Sequence, residues 1–368
     1  MQLVYLSPVP WTSFAQRPHK FVEWFRAESG GQVLWVDPYP TRLPFWSDFG
    51  RHSDAASSAK EILPDGFTVI KPRAFPIEPL PGSGAVNRRL WAGIFQAVGD
   101  VLSAGPTILG IGKPSELALQ LLLQGGFAQS FYDAMDDFPA FYSGLSRFAM
   151  ERRESKIADS VSKVFVSSTE LLFRWGNGRK ISLARNACDV QMLPSVNEPE
   201  MQTRQGVLGY VGTIGRWFDW ELVFALARAK PLMKVRLIGP VFYQPPAELP
   251  KNVEILPPCA HDAAIAAMQE FAVGLIPFKQ TRLTKSVDPI KYYEYRAMGL
   301  PVISSTFGEM RFHQNDPGVF LIESAVILDP VSSVIDAALA YRTPKDEIKD
   351  FRINNSWEAR FAATDLLA

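Results

Sequence analysis

The sequence is poor in cysteine and histidine, and neither charge sign is in excess. Two cysteines and four histidines in 368 residues cannot build a disulfide framework, and none of them has zinc-site spacing. The 38 basic and 38 acidic side chains give a net charge of zero, so the chain lacks an overall field for nucleic acid or anionic lipid. We therefore expect no nucleic-acid partner and a cytoplasmic location, where thiols stay reduced.

Long apolar runs are also lacking. No stretch approaches the ~20 apolar residues that span a bilayer. The first residues, Met1–Leu6, lack the basic start and apolar run of a signal peptide and predict a short strand instead. Any membrane contact is therefore expected to be peripheral, on the inner face of the cytoplasmic membrane.

The sequence does contain the material for two globular domains. Hydrophobic residues make up 47% and charged residues 21%, which is typical of a soluble protein of this length. Apolar runs alternate with amphipathic stretches, which predicts α/β units around parallel sheets. The polar segment 191–206, with two prolines, is predicted to be the interdomain linker.

Each half of the sequence predicts a Rossmann-like domain, and the carboxyl ends of the two sheets are expected to face a cleft where ligands bind. The predicted strands are 2–6, 32–36, 67–70, 106–110, 129–133, 163–166, 207–211, 234–238, 253–256, 272–276, 301–304 and 319–322. The predicted helices are 17–29, 86–103, 115–124, 143–160, 168–174, 218–229, 260–269, 289–298, 331–341 and 345–365.

The stretch from Asp288 to Ile303 carries the strongest chemical signal. Lys291 and Glu294 are three residues apart, so they share one face of the predicted helix 289–298. A helix start with a lysine in its first turn suits an anion, and a carboxylate one turn later can accept hydrogen bonds from a diol. Phosphate and ribose together predict a nucleotide. The alternative is an ion pair on a solvated helix.

A turn with two glycines follows strand 207–211. Gly212, Thr213, Gly215 and Arg216 form a G-x-x-G turn in which backbone can approach a ligand closely. The turn is either structural or a contact to the donor phosphate or the acceptor, with Arg216 as its charged member.

Three carboxylates follow strand 129–133. Asp133, Asp136 and Asp137 repel one another, which should raise at least one pKa. One of them could deprotonate an acceptor hydroxyl, and we favour Asp136. A helix-capping cluster and a metal site are the alternatives.

The loop after the first strand supplies Trp11 and, at the following helix start, Arg17. Both are expected at the carboxyl edge of the first sheet, where they could contact the acceptor. Arg17 could equally pair with a neighbouring acid such as Glu23.

These stretches together resemble GT-B glycosyltransferases of the family 4 type, including teichuronic-acid and exopolysaccharide enzymes. The matching segments span most of the chain: Trp11 with Gln16–His19, Tyr132–Asp137, Arg185–Asp189, Leu208–Trp220, Leu237–Pro240, Val273–Phe278 and Asp288–Ile303.

The resemblance implies an N-terminal acceptor domain, residues 1–200 plus a returning C-terminal helix 345–368, and a nucleotide-sugar domain, residues 201–344. It implies that Trp11 and Arg17 bind the acceptor and that Asp136, or else Asp133 or Asp137, is the base. It also implies that no metal cofactor is used. The nucleotide-sugar residues would be Lys291, Glu294, Ile290, Asp288, Gly212, Thr213, Gly215, Arg216 and Pro277.

One position departs from the family pattern. Family 4 retaining enzymes carry two glutamates eight positions apart, and Glu294 matches the second, but the first position holds Ser286. In this respect the chain resembles the xanthan glucuronosyltransferase type, in which a lysine of the same helix holds the phosphates and an N-domain aspartate acts as base. The resemblance therefore does not imply retention of configuration.

The function that the resemblance implies is transfer of a sugar from a nucleoside-diphosphate donor, expected to be UDP-linked, to a saccharide or lipid-linked saccharide in polysaccharide or cell-envelope biosynthesis. Two alternatives stay open on the same fold. One is a nucleotide-sugar epimerase or hydrolase, and the other is a catalytically silent scaffold that binds sugar nucleotides.

Overall fold

The computed structural model describes residues 1–43, 63–176, 180–196, 206–323 and 328–367. Contacts divide these residues into two units. The first holds residues up to Ser167, Leu171–Leu183 and the last residues from Thr364 on. The second holds Ser168–Glu170 and Ala184–Ala363. Residues 197–205 of the predicted linker lie outside the described residues.

The described part of the first unit contains a seven-stranded parallel sheet with strand order β3-β2-β1-β4-β5-β6-β7. The strands are β1 (Gln2–Leu6), β2 (Val33–Val36), β3 (Phe67–Ile70), β4 (Thr107–Ile111), β5 (Gln129–Ala134), β6 (Lys163–Val166) and β7 (Ile181–Leu183). Six of them coincide with predicted strands to within one residue. The three residues of β7 were not predicted, because so short a segment has no measurable periodicity.

Helices cover both faces of this sheet. They are α1 (Arg17–Ser29), α2 (Ser83–Arg88), α3 (Ala92–Ala104), α4 (Glu116–Gln124), α5 (Gly144–Ser160) and α6 (Thr169–Trp175). Alternate strand residues such as Val4 and Leu6 pack with α3, α4 and α5 in one core. Tyr5 points to the other face, where its ring lies 5.6 Å from that of Phe21 in α1.

The described part of the second unit contains a six-stranded parallel sheet with order β10-β9-β8-β11-β12-β13. This is the Rossmann order, so the predicted α/β class with two parallel-sheet domains is confirmed. The strands are β8 (Val207–Val211), β9 (Lys234–Ile238), β10 (Val253–Leu256), β11 (Val273–Ile276), β12 (Val302–Ser305) and β13 (Val319–Ile322). The helices are α7 (Trp220–Ala229), α8 (His261–Gln269), α9 (Ile290–Ala297), α10 (Leu328–Ala340), α11 (Lys345–Asn354) and α12 (Trp357–Ala362).

Two predicted helices are each divided in the structure. The predicted helix 86–103 corresponds to the end of α2 and most of α3. The helix breaks between them because the Asn87 side chain accepts a hydrogen bond from Phe75 N and donates one to Phe75 O, and because the Trp91 side chain is fully buried. The prediction 345–365 corresponds to α11 and α12. The Ser356 hydroxyl accepts a hydrogen bond from Ala359 N and so starts a new helix.

The C-terminal helices lie in the second unit, whereas the sequence assigned residues 345–368 to the first. Glu347 of α11 forms an ion pair with Arg296 of α9 at 2.6 Å. Arg352 donates a hydrogen bond from Nε to the carbonyl oxygen of Ala297 at 2.7 Å. The bond from Arg352 satisfies a carbonyl group at the carboxyl end of α9. The chain joins the first unit again from Thr364.

Candidate functional site

The site of the second unit is built at the carboxyl ends of β8 and β9. Gly212 N donates to Ile238 O at 2.9 Å, and Ile214 N donates to Pro240 O at 2.9 Å, which holds the two strand ends side by side. Gly239 has a φ of +142°, and a Cβ built there would lie 2.1 Å from the carbonyl oxygen of Gly212. No larger residue than glycine fits at this close approach.

Helix α9 starts beside this turn. The Tyr295 hydroxyl accepts a hydrogen bond from Val211 N at 3.2 Å, which fixes α9 against the end of β8. A Cβ built on Gly212 would lie 3.7 Å from Cε of Lys291. The sequence-predicted Gly212 turn and Lys291 are therefore brought together at one edge of the sheet.

The first turn of α9 presents unused hydrogen-bond donors. Pro289 occupies the N-cap position with a φ of −79°, and the first helical residue is Ile290. The backbone N–H groups of Ile290 and Lys291 have no partner among the described residues. Free N–H groups at a helix start are the donors with which proteins bind anions.

Lys291 and Glu294 form the predicted pair on α9. Lys291 Nζ lies 2.6 Å from Oε2 of Glu294. The side chain of Glu294 is buried, whereas that of Lys291 remains 23% exposed. Lys291 is therefore the solvent-accessible member of the pair. Gly299, with a left-handed φ of +67°, follows the end of the helix.

Asp288 directly precedes Pro289, but its side chain does not cap α9. Its buried carboxylate accepts hydrogen bonds from Asn186 N at 2.6 Å and from the Tyr293 hydroxyl at 3.1 Å. Burial raises the pKa of Asp288 to about 6, although the bond from Asn186 opposes that rise. Asp288 is thus turned away from the helix start and ties the Asn186 loop to α9.

The other predicted members of this site differ in exposure. Pro277 is buried at the end of β11, and its carbonyl oxygen accepts Asp219 N at 2.7 Å. Gly215 is buried, with Trp217 against it. Arg216 is exposed and has no partner among the described residues.

Sequence reasoning missed one buried carboxylate near this site. Glu309 follows β12 and accepts hydrogen bonds from Thr169 N at 2.8 Å and from Arg185 Nε at 2.8 Å. The signal that could have located it is the pair Gly308-Glu309 after a buried strand. Ser286, at the position where family 4 enzymes carry a glutamate, is buried, and its hydroxyl has no partner among the described residues.

In the first unit, Asp133 and Arg17 are paired with each other. Arg17 approaches the carboxylate of Asp133 with Nε at 2.9 Å and Nη2 at 2.8 Å. Both side chains are buried, Asp133 with 1% of its surface exposed. Both carboxylate oxygens of Asp133 are engaged by Arg17, which is itself enclosed, so the role of Asp133 as a candidate base stays a prediction.

Asp136 and Asp137 lie just beyond β5 in different surroundings. Asp137 pairs with Arg174 at 2.6 Å, and Arg174 also bonds the buried Glu154. Asp136 is half-buried, and its carboxylate has no partner among the described residues. Burial, opposed by Arg17 and reinforced by the Asp133 charge, raises the pKa of Asp136 to about 7.

Trp11 lies in the loop between β1 and α1. Its backbone N–H donates to Asp37 Oδ1 at 2.8 Å, and its ring lies 4.3 Å from that of Phe67 and 5.2 Å from that of His19. The half-buried ring is thus part of an aromatic cluster on the α1 side of the first sheet.

A metal cluster and a membrane-spanning helix are both absent from the described residues. These residues contain no group of three or more His, Cys, Asp or Glu side chains placed to hold a metal ion. Within the same residues, no helix is both long enough and apolar enough to cross a bilayer.

Several solved structures resemble this protein over the whole length of the chain. Sucrose-phosphate synthase from Thermosynechococcus elongatus superposes with a TM-score of 0.68 at 16% identity, covering 100% of this chain and 98% of that one. A glycosyltransferase from Rickettsia africae ESF-5 gives 0.65 at 12% identity, covering 100% and 97%. A trehalose-6-phosphate structure from E. coli, bound with UDP-2-fluoro glucose, gives 0.62 at 12% identity and covers 100% of both chains.

The chain has the GT-B fold. The resemblance to GT-B glycosyltransferases extends to sequence, although no family model matches. A curated Bacillus subtilis (strain 168) protein, named as the teichuronic acid biosynthesis glycosyltransferase TuaH, is 27% identical over 200 residues. The match covers 48% of this GT-B chain and 50% of TuaH, so it spans half the length of that relative.

Proposed function

We propose that this chain is a glycosyltransferase that moves a sugar from a nucleoside-diphosphate donor, UDP-linked, to a saccharide or lipid-linked saccharide acceptor in polysaccharide biosynthesis. The observation that carries the proposal is the start of α9. There, two backbone N–H groups that lack a partner in the described part of the chain, a partly exposed lysine and a buried glutamate adjoin the Gly212 turn.

The donor's diphosphate would bind at the first turn of α9. The N–H groups of Ile290 and Lys291 point at that position, the helix dipole favours negative charge there, and Lys291 Nζ adds a full cation. When Lys291 turns to the phosphates, Glu294 loses its partner and can accept hydrogen bonds from the ribose hydroxyls. Arg216, exposed at the Gly212 turn, can add a second cation.

The same groups would stabilise the leaving group. In the transfer step an acceptor oxygen bonds to the anomeric carbon, and the bond from that carbon to the diphosphate oxygen breaks. Negative charge then grows on the diphosphate, where the donors of α9 are already oriented. We propose that these donors supply the charge stabilisation and that no metal is required.

Asp136 is the residue we assign as base. It would take the proton of the acceptor hydroxyl. Its carboxylate is unpaired among the described residues, and its pKa of about 7 suits proton transfer near neutral pH. Asp133 and Asp137 each form an ion pair with an arginine, and we assign them to the surroundings of Asp136.

Two comparisons support this choice of chemistry. The E. coli neighbour is bound with UDP-2-fluoro glucose, which is a uridine nucleotide sugar. TuaH, the relative matched by sequence, is named for teichuronic acid biosynthesis.

The test is calorimetric titration of the full chain with uridine diphosphate, followed by transfer assays. Lys291→Ala should weaken binding at least tenfold, since it removes a charge-assisted contact to phosphate. Lys349→Ala is the matched control, because Lys349 also pairs with an acid three residues away, Asp346, but on α11. Equal affinity of the Lys291→Ala variant and the unmodified chain would refute the assignment.

Turnover distinguishes transfer from the alternatives on the same fold. Release of uridine diphosphate from UDP-sugars should depend on a saccharide acceptor. Release at the same rate without acceptor would identify a hydrolase, and conversion of the sugar without release would identify an epimerase. Binding without turnover across a broad acceptor panel would identify a silent scaffold.

A further inference from the structure

The segment from Lys71 to Leu90, between β3 and α3, has an unusual charge distribution for a chain of zero net charge. Its four cations, Lys71, Arg73, Arg88 and Arg89, are all exposed. Its one carboxylate, Glu78, is buried with 1% exposure. Every charge that this segment presents to solvent is therefore positive.

The same segment exposes large apolar side chains. Phe75 is 53% exposed, Leu80 42%, Val86 49% and Leu90 41%. Single exposed apolar residues are ordinary, but four of them together with four cations within the twenty positions 71–90 form a patch rather than a scatter.

Helix α5 also combines exposed apolar side chains with cations, and its last turn carries one exposed acid, Asp159. Leu145 and Phe148 lie on its solvent side with exposures of 54% and 55%, and Phe141, in the turn before the helix, is 53% exposed. Arg152 and Lys156 continue the same stripe, since positions 145, 148, 152 and 156 share one helical face. The Arg152 guanidinium lies 5.6 Å from the Phe148 ring centroid.

The two parts lie on neighbouring elements of the first unit. Helix α2 packs on α4, and α4 packs on α5. Arg153 of α5 donates a hydrogen bond to the carbonyl oxygen of Glu78 at 2.9 Å, which fixes the 71–90 segment against α5. We call these two parts together the cationic apolar surface.

We propose that the cationic apolar surface binds the face of a bilayer that contains anionic lipid. Apolar side chains inserted at the headgroup boundary gain burial, while neighbouring arginines and lysines attract the anionic headgroups. Nucleic acid would use the cations but leave seven large apolar side chains in water. The inference is independent of sugar transfer, because none of these residues belongs to the proposed donor site and none of them is the proposed base, Asp136.

Vesicle flotation with the full chain tests the proposal directly. Binding is expected to vesicles of phosphatidylcholine with one third phosphatidylglycerol, and much less to phosphatidylcholine alone. Binding should fall when salt is raised to about 1 M, where the screening length shrinks to ~3 Å. Equal binding to both vesicle types, or to neither, would overturn the proposal.

Two double variants separate the electrostatic from the apolar contribution. Arg88→Gln with Arg89→Gln should weaken vesicle binding by about 25-fold, because each cation near an anionic surface contributes ~1 kcal/mol, or about fivefold. Leu80→Ser with Leu90→Ser should weaken binding at least tenfold and leave its salt dependence unchanged. Circular dichroism and thermal melting check that both variants stay folded.

Matched controls come from the second unit. Lys251→Gln with Lys349→Gln removes two exposed cations, and Leu232→Ser with Phe242→Ser removes apolar side chains that are 100% and 78% exposed. Both controls should bind vesicles like the unmodified chain, and a loss equal to that of the test variants would refute a specific surface. Light scattering provides a further check: a dimer that Leu80→Ser with Leu90→Ser dissociates would assign the surface to self-association instead.

Discussion

Replacing Asp136 by asparagine should stabilise the fold at pH 8 and abolish transfer. The change removes a charge and keeps the shape of the side chain. A carboxyl group whose pKa rises from 3.8 to about 7 on folding destabilises the folded state when it is ionised. A structural aspartate behaves in the opposite way, so the sign of the effect discriminates between the two roles.

The magnitude follows from the pKa difference. At 1.36 kcal/mol for each pH unit, ionised Asp136 would cost the folded state at most ~4 kcal/mol. Because the side chain is half-buried and partly solvated, we expect the asparagine variant to gain about 1–2 kcal/mol.

The pH dependence provides a second check. The group causes no loss of stability below its unfolded pKa near 4, and the loss grows until the pH passes the folded pKa near 7. The gain in the Asp136→Asn variant should therefore be full at pH 8, less than half at pH 5 and absent below pH 4. The kcat/KM of the unmodified chain should fall tenfold for each pH unit below 7 if Asp136 is the base.

Chemical denaturation at pH 5 and pH 8 is the assay, and midpoints are compared because a chain of two units need not unfold in one step. Asp133→Asn is the control. It strips the buried Arg17 of its partner and should destabilise by about 3–5 kcal/mol. A lower midpoint for Asp136→Asn at pH 8 would refute the reasoning, and a higher midpoint with full turnover would remove Asp136 as base.

Two other substitutions test how the donor site is held. Gly239→Ala should weaken uridine diphosphate binding and destabilise the fold by ~1–3 kcal/mol, seen as a lower unfolding midpoint, because its Cβ would overlap the Gly212 carbonyl. Gly99→Ala, in open space within α3, should instead be neutral or stabilising, and the same response from both variants would contradict this account. Glu309→Ala should destabilise by ~2–3 kcal/mol in urea denaturation, because it removes the buried carboxylate that Arg185 and Thr169 bond. Glu309→Gln should recover part of that loss, and no change in either variant would show that these bonds contribute nothing.

The strands were predictable because parallel strands covered on both faces are continuous apolar runs. Val207–Val211 and Val273–Ile276 are examples: the first is bounded by Gly206 and Gly212, and the second ends at Pro277. Helix divisions were not predictable in the same way. The first break depends on a tertiary contact, the bonds between Asn87 and Phe75. The second break occurs where the Ser356 hydroxyl caps the new helix α12.

The pairing of charged side chains depended on contacts between residues far apart in sequence. Arg17 and Asp133 are 116 positions apart, and their bond turned an expected acceptor contact and a candidate base into a buried pair. Aspartate is a common helix-capping residue, yet the Asp288 carboxylate accepts a hydrogen bond from the backbone N–H of Asn186, which is 102 positions away. Local patterns identify which residues can carry charge, but not which partner each one finds.

The sequence alone determined the two parallel sheets, the face shared by Lys291 and Glu294, and the glycine turn after β8, because periodicity, side-chain spacing and backbone freedom are properties of neighbouring residues. Tertiary structure decided that α9 starts against the Gly212 turn, that Asp136 is left unpaired among the described residues while Asp133 is not, and which apolar side chains stay in water. Those outcomes depend on how distant segments compete for the same partners and the same buried volume, and no local pattern contains that information.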